Sequence, residues 1–336
     1  MPTEDPVREP KPIDVLGIGN ALVDVLSNET DELVSRLGLV KGSMDLIDEA
    51  RMAELYDAMG PGTELSGGSA ANTMVGIASL GGRAHYIGRV RDDAFGSVFA
   101  HDLRAAGVGY TAVPAADGPA TGCCLILVTP DAERTMNTFL GASSLLAPSD
   151  VDESVIAQAK VVFLEGYLFD RPEAQDAFRY AAELAHRHGA QVALTLSDLF
   201  CVERHRASFR DLVAGHVDVL FANNDEITSL YEVPDVEAAL PHLLDDCELA
   251  AVTRSEKGAL VVHRGEVTSV AGQKVERVVD TTGAGDQFAA GFLAGHVRGL
   301  SPEVAAAVGN IAAAEVIGHL GPRPATDLAA LAAPLL

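Results

Sequence analysis

Short β-branched runs alternate with longer amphipathic stretches along most of the chain. Strands are predicted at 13–18, 160–166, 191–196, 217–222, 248–253 and 259–263, with helical patterns at 173–188, 203–214 and 235–244. This alternation is typical of βαβ units, and it predicts an α/β fold in which helices sandwich a doubly wound, mostly parallel sheet. Ligands of such sheets bind at the carboxyl ends of the strands.

Two segments interrupt this alternation. Residues 38–48 and 111–141 carry strand and turn signals, and a helical pattern at 49–59 follows the first of them. We therefore expect a small β-rich subdomain, built from about residues 20–62 and 110–141, that projects from the main body. The charged, proline-rich residues 1–12 are expected to form a disordered tail, which leaves residues 13–336 as one domain.

The charge of the chain limits its partners. Its formal net charge is −24, which disfavours nucleic acid because the phosphate backbone would be repelled. No apolar run is long enough to span a bilayer and no signal peptide is evident, so we expect a cytoplasmic protein without a membrane partner. The cysteines show no C-x-x-C spacing, so neither zinc nor a disulfide framework is indicated. An anionic ligand would need helix N-termini, backbone N–H groups, a few arginines or a metal.

The stretch DTTGAGDQFAAGF offers such a place. Gly283, Ala284 and Gly285 precede an apolar helical pattern, and small residues at a helix start can direct several N–H groups toward one anion. Asp286 follows them. It could be an ordinary helix cap. It could instead be a general base that takes the proton of an acceptor hydroxyl, while the amides stabilise charge on a transferring phosphoryl group.

The stretch GGSAANTMVGIASLGG is a second candidate. Gly67 and Gly68 would let the backbone approach a ligand closely, and Asn72 offers both a donor and an acceptor to a hydroxyl-rich molecule. A closely packed helix N-terminus would explain the same residues. Ser69 matches a hydrolase nucleophile only weakly, because Ala71 replaces the last glycine of G-x-S-x-G.

Other polar residues follow predicted strands. GIGNALVD fails as a dinucleotide fingerprint because Leu22 replaces its third glycine, so Asp24 is a cap, a turn residue or a ligand-binding group. In NNDE, Asn223 and Glu226 could hold hydrated Mg²⁺ through hard oxygens or form an N-cap with an acidic first turn. Arg134 could neutralise phosphate or lie solvated on the surface. Because the chain contains no GK[ST] and no HRD or DFG triplet, the Walker A and protein-kinase routes are excluded.

Taken in order and at these separations, the stretches GGSAANTMVGIASLGGRAHYIGRVRDDAFG, NNDE and DTTGAGDQFAAGF resemble the PfkB (ribokinase-like) family of carbohydrate and nucleoside kinases. The resemblance runs from about Ile13 to the C-terminus. It implies a doubly wound α/β domain with a β lid over the acceptor site, and phosphorylation of a primary hydroxyl by ATP with Mg²⁺. A K⁺ site beside Asp280 is a further possibility within the family.

The resemblance also implies roles for individual residues. Asp286 corresponds to the base, Gly283, Ala284 and Gly285 to the anion hole, and Arg134 to a lid arginine. The remaining roles are acceptor binding by Asp24, Gly67, Gly68 and Asn72, ATP binding by Asn223, Thr253, Ser255, Gly258 and Asn310, and largely water-mediated Mg²⁺ binding by Glu226 and Asn223. Ser255 departs from the family pattern T-x-G-x-x-G, here TRSEKG, since it replaces the first glycine.

Three features are similar to the adenosine kinase branch: the added helix at 49–59, LSDLF and GHLGPRP. They imply phosphorylation of adenosine to AMP, a purine sandwiched by Phe169, Leu199 and Phe200, and a monomer rather than a lid-swapped dimer. Core packing would explain the same three side chains. A free sugar, a sugar acid, inosine or guanosine stay open as substrates, and so does a non-catalytic nucleoside or sugar sensor.

Overall fold

The computed structural model describes residues 11–112 and 114–336. The strands of this part of the chain are β1 (Ile13–Ile18), β2 (Leu22–Asn28), β3 (Met44–Leu46), β4 (Gly62–Gly67), β5 (Ala84–Ile87), β6 (Gly109–Tyr110), β7 (Gly122–Val128), β8 (Arg134–Phe139), β9 (Ala159–Glu165), β10 (Gln191–Thr195), β11 (Val219–Asn223), β12 (Leu249–Thr253), β13 (Ala259–His263) and β14 (Glu266–Val270).

The α-helices are α1 (Asp31–Arg36), α2 (Glu49–Ala58), α3 (Ser69–Ser79), α4 (Ala94–Ala105), α5 (Glu153–Ile156), α6 (Pro172–Arg187), α7 (Leu199–His216), α8 (Asn224–Tyr231), α9 (Val236–Asp246), α10 (Ala284–His296), α11 (Pro302–Val316) and α12 (Leu328–Ala332). None of the helices in the described ranges is long and apolar enough to cross a membrane.

Nine strands form the main sheet, in the order β14-β13-β12-β11-β10-β9-β1-β5-β6. The pairs from β12 to β6 are parallel, and only β13 and β14 run antiparallel to their neighbours. The predicted α/β fold with a doubly wound, mostly parallel sheet is therefore confirmed. Strand order reverses at β1, since β5 and β6 follow on one side of β1 and β9 to β12 on the other. The carboxyl ends beside β1 are where such sheets bind ligands.

A second sheet, in the order β3-β8-β7-β2-β4, forms the lid. The expected end of its first segment near residue 62 needs correction, because β4 pairs with β2 through Gly67. Helix α2 covers one face of this sheet and buries Leu55 completely. Of the predicted tail, residues 1–10 lie outside the described residues. Lys11 already donates a hydrogen bond to the carbonyl of Ala159, at 2.8 Å.

Helices α10 and α11 pack closely because two glycines meet. A β-carbon on Gly291 would lie 2.7 Å from the Cα of Gly309. On its other side, α10 packs against α3, where Gly76 leaves room for the side chain of Gln287. These contacts fix the N-terminus of α10 relative to the start of α3. The two candidate motifs of the sequence therefore meet.

Candidate active site

A cavity of about 1320 Å³ lies between the lid and the carboxyl ends of the main strands. Its volume exceeds the roughly 300–1,000 Å³ typical of a single small-molecule site, so it has room for two ligands. Most of the residues predicted from the sequence line this one cavity: Asp24, Gly68, Asn72, Arg134, Phe200, Asn223, Glu226, Thr253, Ser255, Gly258, Gly283, Ala284, Gly285, Asp286 and Asn310.

The N-terminus of α10 opens into the cavity. Gly283 is the N-cap residue and has φ 79°, a left-handed conformation that glycine adopts without strain. A β-carbon on Gly283 would lie 2.6 Å from the Cα of Pro322, whereas one on Gly285 would meet nothing within 4 Å. The amides of a first helical turn lack intrahelical acceptors. The N–H groups of Gly285 and Asp286 are therefore suited to an anion.

Asp286 does not cap its own helix, since Gly283 holds the N-cap position and no side chain bonds the first-turn amides there. Its carboxylate instead accepts hydrogen bonds from residues of α3. Ser69 Oγ donates to Oδ1 at 2.6 Å, and Asn72 Nδ2 faces Oδ2 at 3.4 Å. Burial raises the pKa of Asp286 to about 6, against the lowering effect of these two donors. A carboxylate with such a pKa is ionised at neutral pH and can accept a proton.

The sequence of Ser69 and its neighbours offers only a weak match to a hydrolase nucleophile. In the structure the hydroxyl of Ser69 holds the carboxylate of Asp286 by donating to Oδ1, at 2.6 Å. It is therefore a site residue that the sequence reasoning missed.

Asp24 lies on β2, in the lid, and faces the cavity. A β-carbon on Gly67 would collide with its carboxylate, and Gly68, with φ 95°, passes too close to the carbonyl of Asn20 to carry a side chain. Burial raises the pKa of Asp24 to about 6, while the guanidinium groups of Arg323 and Arg134 lower it. Gly67 itself does not line the cavity. It makes room for Asp24.

Glu165, at the end of β9, is a cavity residue that the sequence analysis missed. It accepts hydrogen bonds from Asn20 N–H at 3.1 Å, Asn20 Nδ2 at 2.8 Å and Ala70 N–H at 2.7 Å. Burial raises its pKa to about 7. Its position near the carboxyl end of the predicted strand 160–166 was the available signal, because carboxyl ends of parallel strands carry ligand-binding groups.

Arg134 connects the lid to the main body. It forms an ion pair with Asp280, and both side chains are less than 10% exposed. Asp280 also accepts from the N–H groups of Thr282 at 3.0 Å and Gly321 at 2.9 Å. Nε and Nη2 of Arg134 are buried and have no hydrogen-bond partner within the described ranges. Arg134 therefore retains donors for a ligand in the cavity.

Asn223 and Glu226 form a reciprocal capping box at the start of α8. Asn223 Oδ1 accepts from Glu226 N–H at 2.9 Å, and Glu226 accepts from Asn223 N–H at 2.9 Å and from its Nδ2 at 2.6 Å. The capping alternative is thus realised, and both residues still line the cavity. Burial raises the pKa of Glu226 to about 7.

Of the remaining nucleotide-side candidates, Thr253 ends β12, Ser255 and Gly258 lie in the turn before β13, and Asn310 lies in the middle of α11. Ser255 has φ 51°, the strained left-handed conformation that the family glycine would tolerate, and Gly258 has φ 83°. Thr253 Oγ1 donates to the Ala222 carbonyl at 3.4 Å, and Asn310 Nδ2 donates to the Ala271 carbonyl at 3.0 Å.

Two of the three predicted purine-clamp residues are misplaced. Phe169 is fully buried in the core, stacked on Phe209 with ring centroids 4.3 Å apart. Leu199, the first residue of α7, does not line the cavity. The core-packing alternative is therefore correct for Phe169. Phe200 is 66% exposed and does line the cavity.

The GPRP segment, residues 321–324, crosses the start of α10. Gly321 N–H bonds Asp280, and the Pro322 carbonyl accepts from Gln287 Nε2 at 3.0 Å. The same Gln287 amide donates to the Asn72 carbonyl at 3.0 Å. Arg323 then reaches across to α3, α4 and β4. From the sequence alone, this segment is only a mark of a family branch.

A model of the pfkB family of carbohydrate kinases matches residues 35–328. The chain belongs to this family. The crystal structure of adenosine kinase from Sinorhizobium meliloti is 50% identical, has a TM-score of 0.88 and covers 97% of this chain and 100% of its own. A probable sugar kinase protein from Rhizobium etli CFN 42 is 47% identical, with a TM-score of 0.89 and the same coverage. A 5-dehydro-2-deoxygluconokinase from Geobacillus thermodenitrificans is 25% identical over 93% of this chain and 89% of its own.

This pfkB kinase is a phosphotransferase with an alcohol group as acceptor, and the predicted resemblance to adenosine kinases is confirmed. Kinases of this family use ATP, typically with Mg²⁺. The free donors of Arg134 and the first-turn amides of α10 fit phosphate oxygens. No group of three His, Cys, Asp or Glu side chains within the described residues could hold a metal ion. Asn223 and Glu226 line the cavity and carry oxygen atoms of the kind that Mg²⁺ prefers.

Proposed function

We propose that this pfkB kinase transfers the γ-phosphoryl group of ATP to the primary, 5′-type hydroxyl of a nucleoside, and that adenosine is its substrate and AMP its product. The observation that carries the kinase chemistry is the position of Asp286. It lies at the mouth of α10, in the cavity shared by the acceptor and nucleotide residues.

In this proposal Asp286 takes the proton of the acceptor hydroxyl as its oxygen attacks the γ-phosphorus. The bond to the β,γ-bridging oxygen breaks, and ADP leaves. Ser69 and Asn72 hold the carboxylate by donating to it, which keeps its lone pairs directed into the cavity. The N–H groups of Gly285 and Asp286, at the start of the turn that Gly283 opens, stabilise charge on the transferring oxygens. The N–H of Ala284 donates instead to the Thr281 carbonyl, at 3.2 Å.

The nucleotide side of the cavity would bind ATP through Asn223, Thr253, Ser255, Gly258 and Asn310. Bound Mg²⁺ supplies neutralisation of phosphate charge. Arg134 supplies the same from the lid through its unpaired nitrogens, while its bond to Asp280 holds the lid on the body. Asp24, Gly68 and Asn72 would orient the acceptor's sugar hydroxyls.

The acceptor end of the cavity supports a nucleoside over a free sugar. Its wall is apolar, formed by Met44, Leu46, Ile126, Met136 and Phe200. Met44, Leu46 and Phe200 are 48%, 55% and 66% exposed, so much of their surface is free to contact a ligand. A purine would cover this surface, at about 25 cal/mol per Å² of apolar area removed from water. Sugar hydroxyls would gain no hydrogen bonds from it.

A sugar acid is the second candidate, because a relative is a 5-dehydro-2-deoxygluconokinase and Arg204 lines the cavity. Arg204 is, however, paired with Asp170 by two hydrogen bonds, of 3.1 and 3.2 Å. A substrate carboxylate would have to compete with Asp170 for it. This competition favours the nucleoside.

The test is ADP formation by the purified protein with ATP and Mg²⁺ across adenosine, inosine, guanosine, ribose, fructose and 5-dehydro-2-deoxygluconate. We expect adenosine to give the highest kcat/KM. Higher turnover with a sugar acid would replace adenosine and leave the kinase chemistry intact. Running each assay in K⁺ and in Na⁺ tests the K⁺ site that the family suggests beside Asp280.

Asp286→Asn separates the enzyme from a non-catalytic sensor and tests the base. It preserves shape and removes the proton acceptor, so we expect turnover to fall by about 10²–10⁴-fold while adenosine still binds. Asp211→Asn, at an exposed position on α7, is the matched control. Full turnover in Asp286→Asn would rule out the base assignment. We also propose that the protein is a monomer, which light scattering at assay concentrations would check.

A further inference from the structure

Arg323 is the one residue of the GPRP segment that reaches three different elements. Its Nε donates to Asn72 Oδ1 on α3 at 3.2 Å, its Nη1 to Asp102 on α4 at 2.7 Å and its Nη2 to Ser66 Oγ on β4 at 2.6 Å. Its side chain is 16% exposed. Ser66 donates in turn to Asp102 at 2.6 Å, so every group in the cluster has a consistent direction of donation.

A guanidinium carries only donors, so the atom that Asn72 turns toward Arg323 must be its carbonyl oxygen. The amide nitrogen of Asn72 then faces the other way, toward Asp286 Oδ2 at 3.4 Å. If the amide were flipped, two oxygens would face each other at Asp286 and two sets of donors would face each other at Arg323. The orientation of one amide therefore depends on a residue that does not touch the reacting groups.

We propose that Arg323 is a positioning residue for phosphoryl transfer: it locks the side-chain amide of Asn72 so that this amide donates to Asp286. The inference rests on the proposed function, because it assumes that Asp286 acts as the base. Gln287 strengthens the arrangement, since its amide donates to both the Asn72 and the Pro322 carbonyls and so ties the two partners to α10.

Other titratable groups surround Asp286 and must be separated from this effect. Asp24 on β2, Glu165 on β9 and Tyr167 after it all feel the charge of Asp286. Arg323 also acts on Asp24 directly, through its charge. Asp24 is proposed to bind the acceptor, so its protonation should change KM. Protonation of Asp286 should change kcat.

The experiment is a pH profile of kcat for Arg323→Met and Arg323→Lys, each alone and with Asn72→Ala. Loss of a hydrogen bond to a charged group corresponds to about one pH unit. With a pKa of about 6 for Asp286, Arg323→Met should lower kcat about fivefold at pH 6 and hardly at pH 8. Arg323→Lys keeps the charge and cannot reach three acceptors, so it should shift the profile in the same direction by less. In the Asn72→Ala background, neither Arg323 substitution should shift the pH profile of kcat any further.

Asp102→Asn is the matched control, since it weakens the same cluster without touching Asn72. We expect Asp102→Asn to lower the melting temperature and to leave the fall of kcat at low pH where it is in wild type. The inference would be overturned by any of three results in the pH profile of kcat. These are no shift in either Arg323 variant, a shift that persists in the Asn72→Ala background, or an equal shift in Asp102→Asn. If Asp286→Asn keeps full turnover, the base assignment within the proposed function fails, and this inference fails with it. If that variant is inactive and the Arg323 variants behave like wild type, this inference alone fails.

Discussion

Alanine at Gly283 should lower the stability of the protein, whereas alanine at Gly285, two residues further on, should lower its activity without lowering its stability. At Gly283 the new side chain must adopt φ 79° and would lie 2.6 Å from the Cα of Pro322. The left-handed conformation alone costs about 1–2 kcal/mol. With an unfolding entropy of about 2.1 cal/mol/K per residue, a chain of 336 residues has about 0.7 kcal/mol/K. The melting temperature should therefore fall by at least about 1.4–3 °C.

At Gly285 a β-carbon meets nothing within 4 Å, because it points into the cavity. Alanine also favours a helix over glycine by up to about 1 kcal/mol, so Gly285→Ala should melt at or slightly above the wild-type temperature. The methyl would occupy the space above the first-turn amides. A displacement of about 1 Å at a reacting centre can cost roughly 10²-fold, and we expect a loss of that order in kcat/KM.

Thermal unfolding and steady-state ADP formation, measured on both variants, check the pair. The control is Gly215→Ala on α7, where a β-carbon also meets nothing within 4 Å and which does not line the active-site cavity. It should resemble Gly285→Ala in stability and wild type in activity. Wild-type kcat/KM in Gly285→Ala would refute the placement of the phosphoryl group at the mouth of α10.

Three further outcomes are expected. Phe200→Ala should lower kcat/KM for adenosine about tenfold with little change in melting temperature, whereas Phe169→Ala should cost about 3–5 kcal/mol of stability; equal behaviour would contradict their placement. Because the pKa values of Asp286 (about 6) and Glu226 (about 7) are raised on folding, their contribution to stability is full below about pH 4 and lost as pH rises through 6–7. Lowering the pH from 8 to 5 should therefore reduce kcat while raising the melting temperature. A kcat and a melting temperature that rise or fall together would contradict this prediction. Ser255→Gly should raise the melting temperature by about 1.4–3 °C, since it removes a strained φ of 51°; an unchanged value would show no strain there.

Six of the nine strands of the main sheet could be predicted from the sequence, because they are mostly buried and read as continuous apolar runs. Strands β5 and β6 are too short to give such a run, and β14 is largely exposed, so these three were not predicted. The lid strands β2 and β4 were harder, since LVDVLSN and GTELSG are short, partly polar and flank a cavity. Their pairing with each other, through Gly67, is a long-range contact. Local patterns carry no signal for its register, which is why the predicted lid segment ended five residues early.

Some residues of the site could likewise be predicted from local sequence, and others could not. Asp286 and Asn72 lie in glycine-rich motifs whose spacing is recognisable, and the cavity contains both. Phe169 and Phe200 look alike in sequence, because each follows a strand, and only the packing of α7 decides which of them meets the cavity. Arg323 lies in no chemical motif. Its contacts span more than 200 positions of the chain, so no local signal could reveal them.

The GPRP segment also sets an order of events during protein synthesis. All nine strands of the main sheet precede residue 271, and the start of α10 follows soon after. A nascent chain that has emerged only through α11 would thus hold the sheet, the lid and Asp286, but neither Pro322 nor Arg323. It could bind ligands in a nearly complete cavity before the base is oriented. Competence for phosphoryl transfer would arrive only once Pro322 and Arg323 are in place, as a step separate from formation of the sheet and the lid.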